Sequence, residues 1–482
     1  MPEYMGIMAM DSTPIIVWFR RDLRVQDNSA LSAAMRTNRP LVLLYIDSAK
    51  EESPWPHGAA SRWWLHHALV ALKAALKEHG ADLTIRRGPA LEVLNTVIRE
   101  SGATAVYWNR LYEPAVIARD KSVKASLKTA GIDAQSFNSA LLHEPWTILT
   151  QQDKPYQVFT PFYRSCQATG EPPSPEAPVK GKFPTLGSLK SLDFQSLELL
   201  PTIPWDRGMK ASWTPGEAGA QKELKRFLNG AVEQYSGDRD RPDHVGTSRL
   251  SPHLHFGEIG PRQIWSAVRK SGAKNVDPYL RQLIWREFAH HLLYHFPQTP
   301  EQPLRSQFAN FPWSKDAKLL KLWQKGRTGY PIVDAGMREL WHTGWMHNRV
   351  RMIVGSFLVK DLLIPWQEGA AWFWDTLVDA DLANNTLGWQ WIAGCGADAA
   401  PYFRIFNPYL QAAKFDPDGS YVRKWIPELA KLDAKWIHEP TSAPPDVLKA
   451  AGVRLGESYP HPIVDHAKAR DLALEAYSQI KL

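Results

Sequence analysis

The sequence predicts two unlike halves: an α/β domain with a doubly wound parallel sheet, then an all-helical domain. Three observations carry this. Short apolar runs rich in β-branched residues alternate with helical spacing over residues 12–140. A proline-rich stretch follows, and from about residue 213 nearly every segment repeats apolar residues at three- and four-residue spacing. A chain of 482 residues is long for one core, so the boundaries fall at 12–140, 141–212 and 213–482.

"PIIVWF" (14–19) and "LVLLYI" (41–46) read as buried strands, because strands covered by helices on both faces become continuous apolar runs. "SRWWLHHALVALKAALKEHG" (61–80) has helical spacing and stops on Gly80. "ADLTIRR" (81–87), "AVYWN" (105–109) and "DAQSFN" (133–138) read as further strands, with helices over 90–101 and 114–130 between them. Strand–helix–strand succession calls for right-handed crossovers and so a parallel sheet. No G-x-G-x-x-G follows the first strand, so the dinucleotide fingerprint is absent. Pro172, Pro173, Pro175, Pro178, Pro184, Pro201 and Pro204 break regular structure and mark a surface connector. Beyond it, helices are expected over 215–235, 276–296 and 333–363.

Lys and Arg total 57 against 50 Asp and Glu, a net charge of +7 that is compatible with a phosphate-rich partner but does not prove one. Two cysteines, Cys166 and Cys395, argue against a disulfide scaffold and fit a reducing, cytoplasmic setting. The opening "MPEYMGIMAMDSTP" lacks a basic-then-apolar secretory pattern, and no apolar run reaches membrane-spanning length. A soluble monomer with no membrane partner is expected. The 21 tryptophans are mostly packing units, yet indole also stacks on bases and gives up electrons readily. Tryptophans beside polar clusters are therefore candidate ligand walls.

Four stretches bear on chemistry. "DADLANNTLGWQW" gathers Asp379, Asp381, Asn385, Trp389 and Trp391, either as a solvated turn beside a core helix or as a pocket for a flat ligand. In "GTSRLSPHLHFGEIGPRQIW" (246–265), Ser251 before Pro252 suits a helix cap, and the same hydroxyls and amides suit a phosphate-holding loop. "LRQLIWREFAHHL" puts Gln282, Trp285 and Arg286 on one helical face; "WMHNRVRM" does so for Trp345, Asn348, Arg351 and Met352. Two such helices facing each other would line one pocket. The histidines His253, His255, His290, His291 and His295 come with no H-E-x-x-H and no cysteine pair, so no metal is expected.

Taken in order, "VWFRRDLRVQDNSAL" (17–31), "GTSRLSPHL" (246–254), "LIWREF" (283–288), "KGRTGYPIVDAGMREL" (325–340), "WMHNRVRMIVGSFLVKDLL" (345–363), "DLANNTLGWQW" (381–391) and "APYFRIFNP" (400–408) resemble the DNA photolyase/cryptochrome family. "WMHNRVRM" is similar to the cyclobutane pyrimidine dimer photolyases. "GAASRWWLHHAL" and "GATAVYWNRLYEPAVIARD" are similar to plant cryptochromes and the class III bacterial photolyases related to them.

The resemblance implies an antenna role for the α/β domain and a U-shaped FAD within the helical domain. Tyr235, Thr247, Ser248, Leu250 and Ser251 would hold its phosphate and ribose parts. Arg286, Trp345, Asn348, Arg351, Asp361, Asp379, Asp381 and Asn385 would surround the rest. Arg351, fixed by a bidentate pair with Asp379, would stabilise the anionic reduced flavin. Asn385 would offer a carbonyl to the flavin N5–H, where a carboxylate would repel the anion. The implied activity is that of a deoxyribodipyrimidine photo-lyase. Light excites reduced FAD, an electron passes to a pyrimidine dimer flipped out of UV-damaged DNA, the cyclobutane ring splits and the electron returns. Gln282, Trp285, Met352 and Trp391 would contact the lesion, with Gln282, Asn348 and Asn385 acting in catalysis. Trp389, Trp366 and Trp313 would pass electrons to the flavin, along a linear or a branched route. A second, antenna chromophore is expected between the α/β domain and the connector, methenyltetrahydrofolate ahead of a deazaflavin.

One position departs from the pattern. Dimer photolyases usually carry Glu where this chain has Gln282, and (6-4) photolyases typically carry Gln. Those enzymes also need histidines where this chain has Asn348 and Met352, and without them the acid–base step lacks its donor. Dimer repair is expected, with (6-4) or dual-lesion repair and a blue-light cryptochrome receptor as the alternatives.

Overall fold

The computed structural model describes residues 12–187, 189–399 and 404–480. The chain start read above for a secretory pattern, up to residue 11, and residues 400–403 of "APYFRIFNP" lie outside the described residues.

The first half follows the expected alternation: β1 (Ile15–Phe19), α1 (Ser29–Met35), β2 (Leu41–Asp47), α2 (Ala59–Glu78), β3 (Leu83–Arg87), α3 (Ala90–Ser101), β4 (Ala105–Asn109), α4 (Pro114–Thr129) and β5 (Asp133–Phe137). Every pairing is parallel, in the order β3-β2-β1-β4-β5. Alternate side chains feed two cores. Ile15, Val17 and Phe19 pack with Trp64 and Leu69 of α2, while Ile16 and Trp18 pack with Leu94 of α3 and Leu127 of α4. Strand order reverses between β1 and β4, which opens a crevice at their carboxyl ends.

α5 (Phe159–Ala168) opens the connector. The proline-rich chain then runs along the sheet. Leu41 N donates to Pro184 O (2.6 Å), and Ile85 N donates to Ser191 Oγ while Leu192 N donates to Ile85 O (2.9 Å each). The two Ile85 bonds occupy the open edge of β3, which would otherwise invite another chain.

Two buried side chains join the halves. Arg24 is 1% exposed; its Nη1 donates to Gly257 O (2.9 Å) and its Nη2 to Ser139 Oγ (2.6 Å). Glu258 accepts from Trp64 Nε1 of α2 (2.9 Å) and from Gly216 N (2.7 Å), and pairs with the His253 ring. A buried carboxylate with this many donors is satisfied, so removing one partner is costly.

In the second half the 276–296 helix is found as α6 (Asp277–His295). The 215–235 helix is interrupted: it runs over Glu217–Arg226, kinks at Asn229 and Gly230, and resumes at Val232–Asp238. The expected single helix over 333–363 is two. α7 (Pro331–Thr343) ends on Gly344 at φ 68°, a turn follows, and α8 (Asn348–Ser356) continues into a π-helical turn at Phe357–Asp361. Apolar spacing runs through the break because Met346 of the turn enters the same core as both helices. α9 (Trp366–Thr376) and α10 (Leu382–Ala393) complete the frame around the site. α10 packs on α6, α8 and α9, and α7 on α8. No described helix is long and apolar enough to cross a membrane.

Gly344 is required by conformation and by space. A Cβ there would meet Val378 Cγ1 at 2.7 Å and Met209 Cε at 3.2 Å. Gly344→Ala is expected to lower the unfolding free energy by about 2–4 kcal/mol, from left-handed strain plus overpacking. The urea midpoint of the variant against wild type measures it.

Candidate active site

The turn after Gly344 builds the centre. Trp345 lies in that turn and not on α8, which corrects the expectation that it shares a helical face with Asn348, Arg351 and Met352. α8 begins at Asn348 because His347 caps it, with Nδ1 accepting from Arg349 N at 3.2 Å. One turn later Arg351 points at Asp379. Its Nη2 donates to both carboxylate oxygens, at 3.0 and 2.9 Å, while Nε donates to Met346 O at 2.8 Å. The pair is therefore bifurcated from one nitrogen and is not the two-nitrogen fork expected from the sequence. Nε is spent on the turn, and Nη1 is left for a ligand.

α10 supplies the facing wall. Asp381 caps it, accepting from Asn384 N at 2.9 Å. The other Asp381 oxygen sits 3.5 Å from His290 Nε2 and 3.7 Å from His255 Nδ1. Burial works to raise this carboxyl, but the His290 and His255 rings outweigh it and hold Asp381 well below the usual carboxylate range. One turn on, Asn385 Nδ2 donates to Ala370 O of α9 (3.0 Å), leaving its carbonyl oxygen and one N–H to present. Trp389 is 2% exposed and fits because α9 carries Gly369: a Cβ there would stand 2.1 Å from the Trp389 ring.

α6 closes the third side with Gln282 and Trp285, both half-buried. The Gln282 amide nitrogen donates to Pro278 O (3.1 Å), leaving one N–H and the carbonyl for a ligand. Met352 and Trp391 are half-buried as well, while Asn348 is exposed with its amide 4.0 Å from Met352 Sδ. Arg286 donates to Ala140 O (2.7 Å), at the end of the α/β domain.

Of the residues expected around the phosphates, Thr247, Ser248 and Leu250 sit on one loop, Ser251 opens the short helix after it, and Tyr235 lies on the separate helix Val232–Asp238. Tyr235 and Leu250 are buried, Thr247 and Ser248 half-buried, and the Tyr279 hydroxyl bonds Ser248. Ser251 is not the helix cap. Arg249 adopts φ 55° and Leu250 takes the cap position, so Ser251 becomes the first helical residue and is exposed.

Asp361 is the clearest correction. It stands ten residues after Arg351 on the same continuous helix, a rise of about 15 Å. There it pairs with His466 Nδ1 of the last helix at 2.5 Å and does not join Asp379 and Arg351. The tryptophans also differ from a simple row. Among the described residues, Trp389 touches Phe373 (ring centroids 5.0 Å) and Trp323 (6.3 Å), Trp313 touches Phe311 (4.3 Å), and no ring contact joins Trp389, Trp366 and Trp313 in sequence. Trp323 was not singled out from sequence; it lies on a short helix with no polar cluster beside it.

The set suits a flavin. A half-buried cation, a presented amide carbonyl and flanking indoles answer an anionic aromatic ring, and the buried His255 ring nitrogens have no hydrogen-bond partner among the described residues.

The His347 cap carries a pH dependence. Burial pushes its imidazole down to about 4, below the roughly 6.5 of an exposed ring. The folded state therefore favours the neutral, accepting form, so stability is full above about pH 6.5 and is lost as pH falls toward 4. Urea unfolding at pH 7.5 and 4.5 is expected to show a loss of about 1–3 kcal/mol that His347→Asn, a cap without a titrating proton, removes.

Two family models match the chain: "DNA photolyase" over residues 15–179 and "FAD binding domain of DNA photolyase" over residues 279–479. A deoxyribodipyrimidine photo-lyase of Agrobacterium fabrum is 49% identical over 98% of this chain and 99% of its own. Cryptochrome-1 of Arabidopsis thaliana is 41% identical over 96% of this chain and 70% of its own. The crystal structure of a class III photolyase from Agrobacterium tumefaciens superposes with a TM-score of 0.95 at 48% identity, covering 99% of both chains. With the sheet, the helical half and the cleft arranged as above, the chain belongs to the DNA photolyase/cryptochrome family.

Proposed function

We propose that this protein repairs UV-damaged DNA by splitting cyclobutane pyrimidine dimers in blue or near-UV light. The observation that carries the reading is the Arg351–Asp379 pair, with Gln282, Trp285, Met352 and Trp391 half-buried on helices α6, α8 and α10, of which α10 packs on the other two. A bound FAD would supply the light-driven electron. The chain's own part is to hold and shield. Arg351 places positive charge where a reduced flavin is anionic, and Asp379 keeps that arginine from swinging into solvent. Asn385 presents an acceptor without a second negative charge. Trp285 and Trp391 offer flat walls for the unstacked bases of a flipped dimer, each base stack being worth about 1–3 kcal/mol. The +7 charge favours the backbone contacts that hold the duplex without reading sequence.

The alternative is (6-4) repair, which Gln282 would permit. Asn348 and Met352 offer no proton at the cleft, and His347 is 2% exposed with Nδ1 committed to the helix cap. The acid–base donor that reaction needs is absent from these positions.

The tryptophan route runs from Trp389 toward Trp366 and Trp313. The Trp323 contact at Trp389 gives it a branch.

In place of the position expected between the α/β domain and the connector, we propose that an antenna chromophore, methenyltetrahydrofolate in preference to a deazaflavin, stacks against Trp341 and Trp372 of α7 and α9 in the helical half. Trp341 is 59% exposed, and the two rings are nearly parallel (7°) with centroids 6.1 Å apart. Flat rings stack at about 3.5 Å, so a pterin held between the two indoles needs their planes about 7 Å apart. The cavity at the carboxyl end of the sheet, lined by Arg21, His57 and Glu113 among others, is about 140 Å³ and small for such a molecule.

Purified, reduced protein is expected to remove thymine dimers from an oligonucleotide in blue light and not in the dark, with (6-4) photoproducts unchanged. Loss of (6-4) products without dimer loss overturns the reading. Trp372→Ala is expected to purify without the near-UV band of the antenna while keeping the flavin bands; absorption spectra of the two proteins decide it.

A further inference from the structure

Trp285 is half-buried, yet one of its faces is already taken. The Phe159 ring lies on it with centroids 3.6 Å apart and planes 7° from parallel. Phe159 is 1% exposed and opens α5, on the connector, far from Trp285 in sequence. Phe288 stands edge-on to both rings, 5.8 Å from each. The indole is thus pressed from one face and propped at its edge. Tyr163, one turn along α5, stacks behind Phe159 at 5.7 Å, and the Arg281 guanidinium lies 5.1 Å from each of those two rings.

The backbone of the same residue is tied elsewhere. Phe159 N donates to Asp398 Oδ1 (3.3 Å), and Asp398 N donates to Gln157 O (3.1 Å). Asp398 lies in the loop that leaves α10 just after Trp391, and its φ of 51° shows the loop bent to make the contact. Residues 157–159 therefore touch one lesion wall through a ring and, through hydrogen bonds, the loop that follows the helix carrying the other.

We propose that Phe159, with Asp398, is a positioning pair for lesion recognition. It holds the Trp285 plane before DNA arrives and fixes its spacing from Trp391. This rests on the reading of Trp285 as a lesion wall. A free indole on a helix surface would lose rotamer freedom on stacking with a base; here that freedom is removed on folding, which favours binding of the flipped dimer. Undamaged duplex, gripped through its phosphates, does not use the wall.

The test is affinity for a dimer-containing oligonucleotide and for its undamaged counterpart, by fluorescence anisotropy of labelled DNA in the dark. Phe159→Leu is expected to weaken lesion binding about three- to ten-fold, leave undamaged binding unchanged, and raise KM for repair more than it lowers kcat. Phe159→Tyr, which keeps the ring, is expected to restore wild-type lesion affinity. Asp398→Ala leaves the aromatic core intact and reads the loop link even if the leucine variant folds poorly; an approximately two- to five-fold loss confined to damaged DNA is expected. Equal losses for damaged and undamaged DNA overturn the proposal. So does unchanged lesion affinity in Phe159→Leu and Asp398→Ala while Trp285→Ala loses it. Unchanged affinity in Trp285→Ala overturns the lesion-wall reading instead.

Discussion

The cleft depends on one turn. Gly344 O accepts Val378 N at 2.8 Å, which pins the end of α7 to the segment that enters α10. That bond puts Met346 O and Asp379 on the two sides of one guanidinium. A half-buried arginine is tolerable only when its nitrogens are matched, and here the turn supplies one acceptor and the pinned segment the other. Were α7 and α8 one straight helix, neither the carbonyl nor the carboxylate would stand there. The same turn frees Trp345 from the helix, and Arg249 packs on its ring at 5.0 Å, next to the loop that carries Thr247 and Ser248.

Electrostatics extends this arrangement into the α/β domain. Asp381 starts α10 and so sets the height of Asn385 and Trp389. Its negative charge is kept by His255 and His290, which come from two other elements of the helical half. The His255 ring in turn meets His57 edge-on at 6.0 Å, beside the crevice where the strand order reverses. Arg21, just past β1, pairs with Glu113, just past β4, at 2.5 Å. The crevice that binds ligands in other doubly wound sheets is here narrowed by charge pairs and by contact with the second domain to a cavity of about 140 Å³.

Much of this was legible in the sequence, for physical reasons. β1, β2 and β4 were found because burial on both faces leaves continuous apolar runs, and α6 because its spacing is uninterrupted. Motif resemblance then singled out Arg351 and Asp379, which the fold brings into one ion pair. What failed depended on backbone conformation or on distant partners. The break at Gly344 was masked by Met346, an apolar residue that keeps the helical rhythm through a turn. Ser251 looked like a cap, but the left-handed Arg249 moved the cap to Leu250. Asp361 was carried over as a ligand residue from the motif resemblance, yet fourteen residues of helix carry it to the far end of the rod. Phe159, Asp398, Glu258 and His347 were missed. The first three act through contacts more than 40 residues away in sequence. A polar residue just before a helix start was the only signal available for His347.

The central claim is that the Arg351–Asp379 pair shapes the cleft around an anionic reduced flavin. The most direct measurement is the FAD content of the purified protein and its absorption spectrum after anaerobic reduction, for wild type and Asp379→Asn. The account predicts that wild type carries FAD equimolar with the chain and reduces it to the anionic form, and that the variant loses FAD or shifts the reduced spectrum toward the protonated form. Flavin content and reduced spectrum that are the same in both proteins would contradict it.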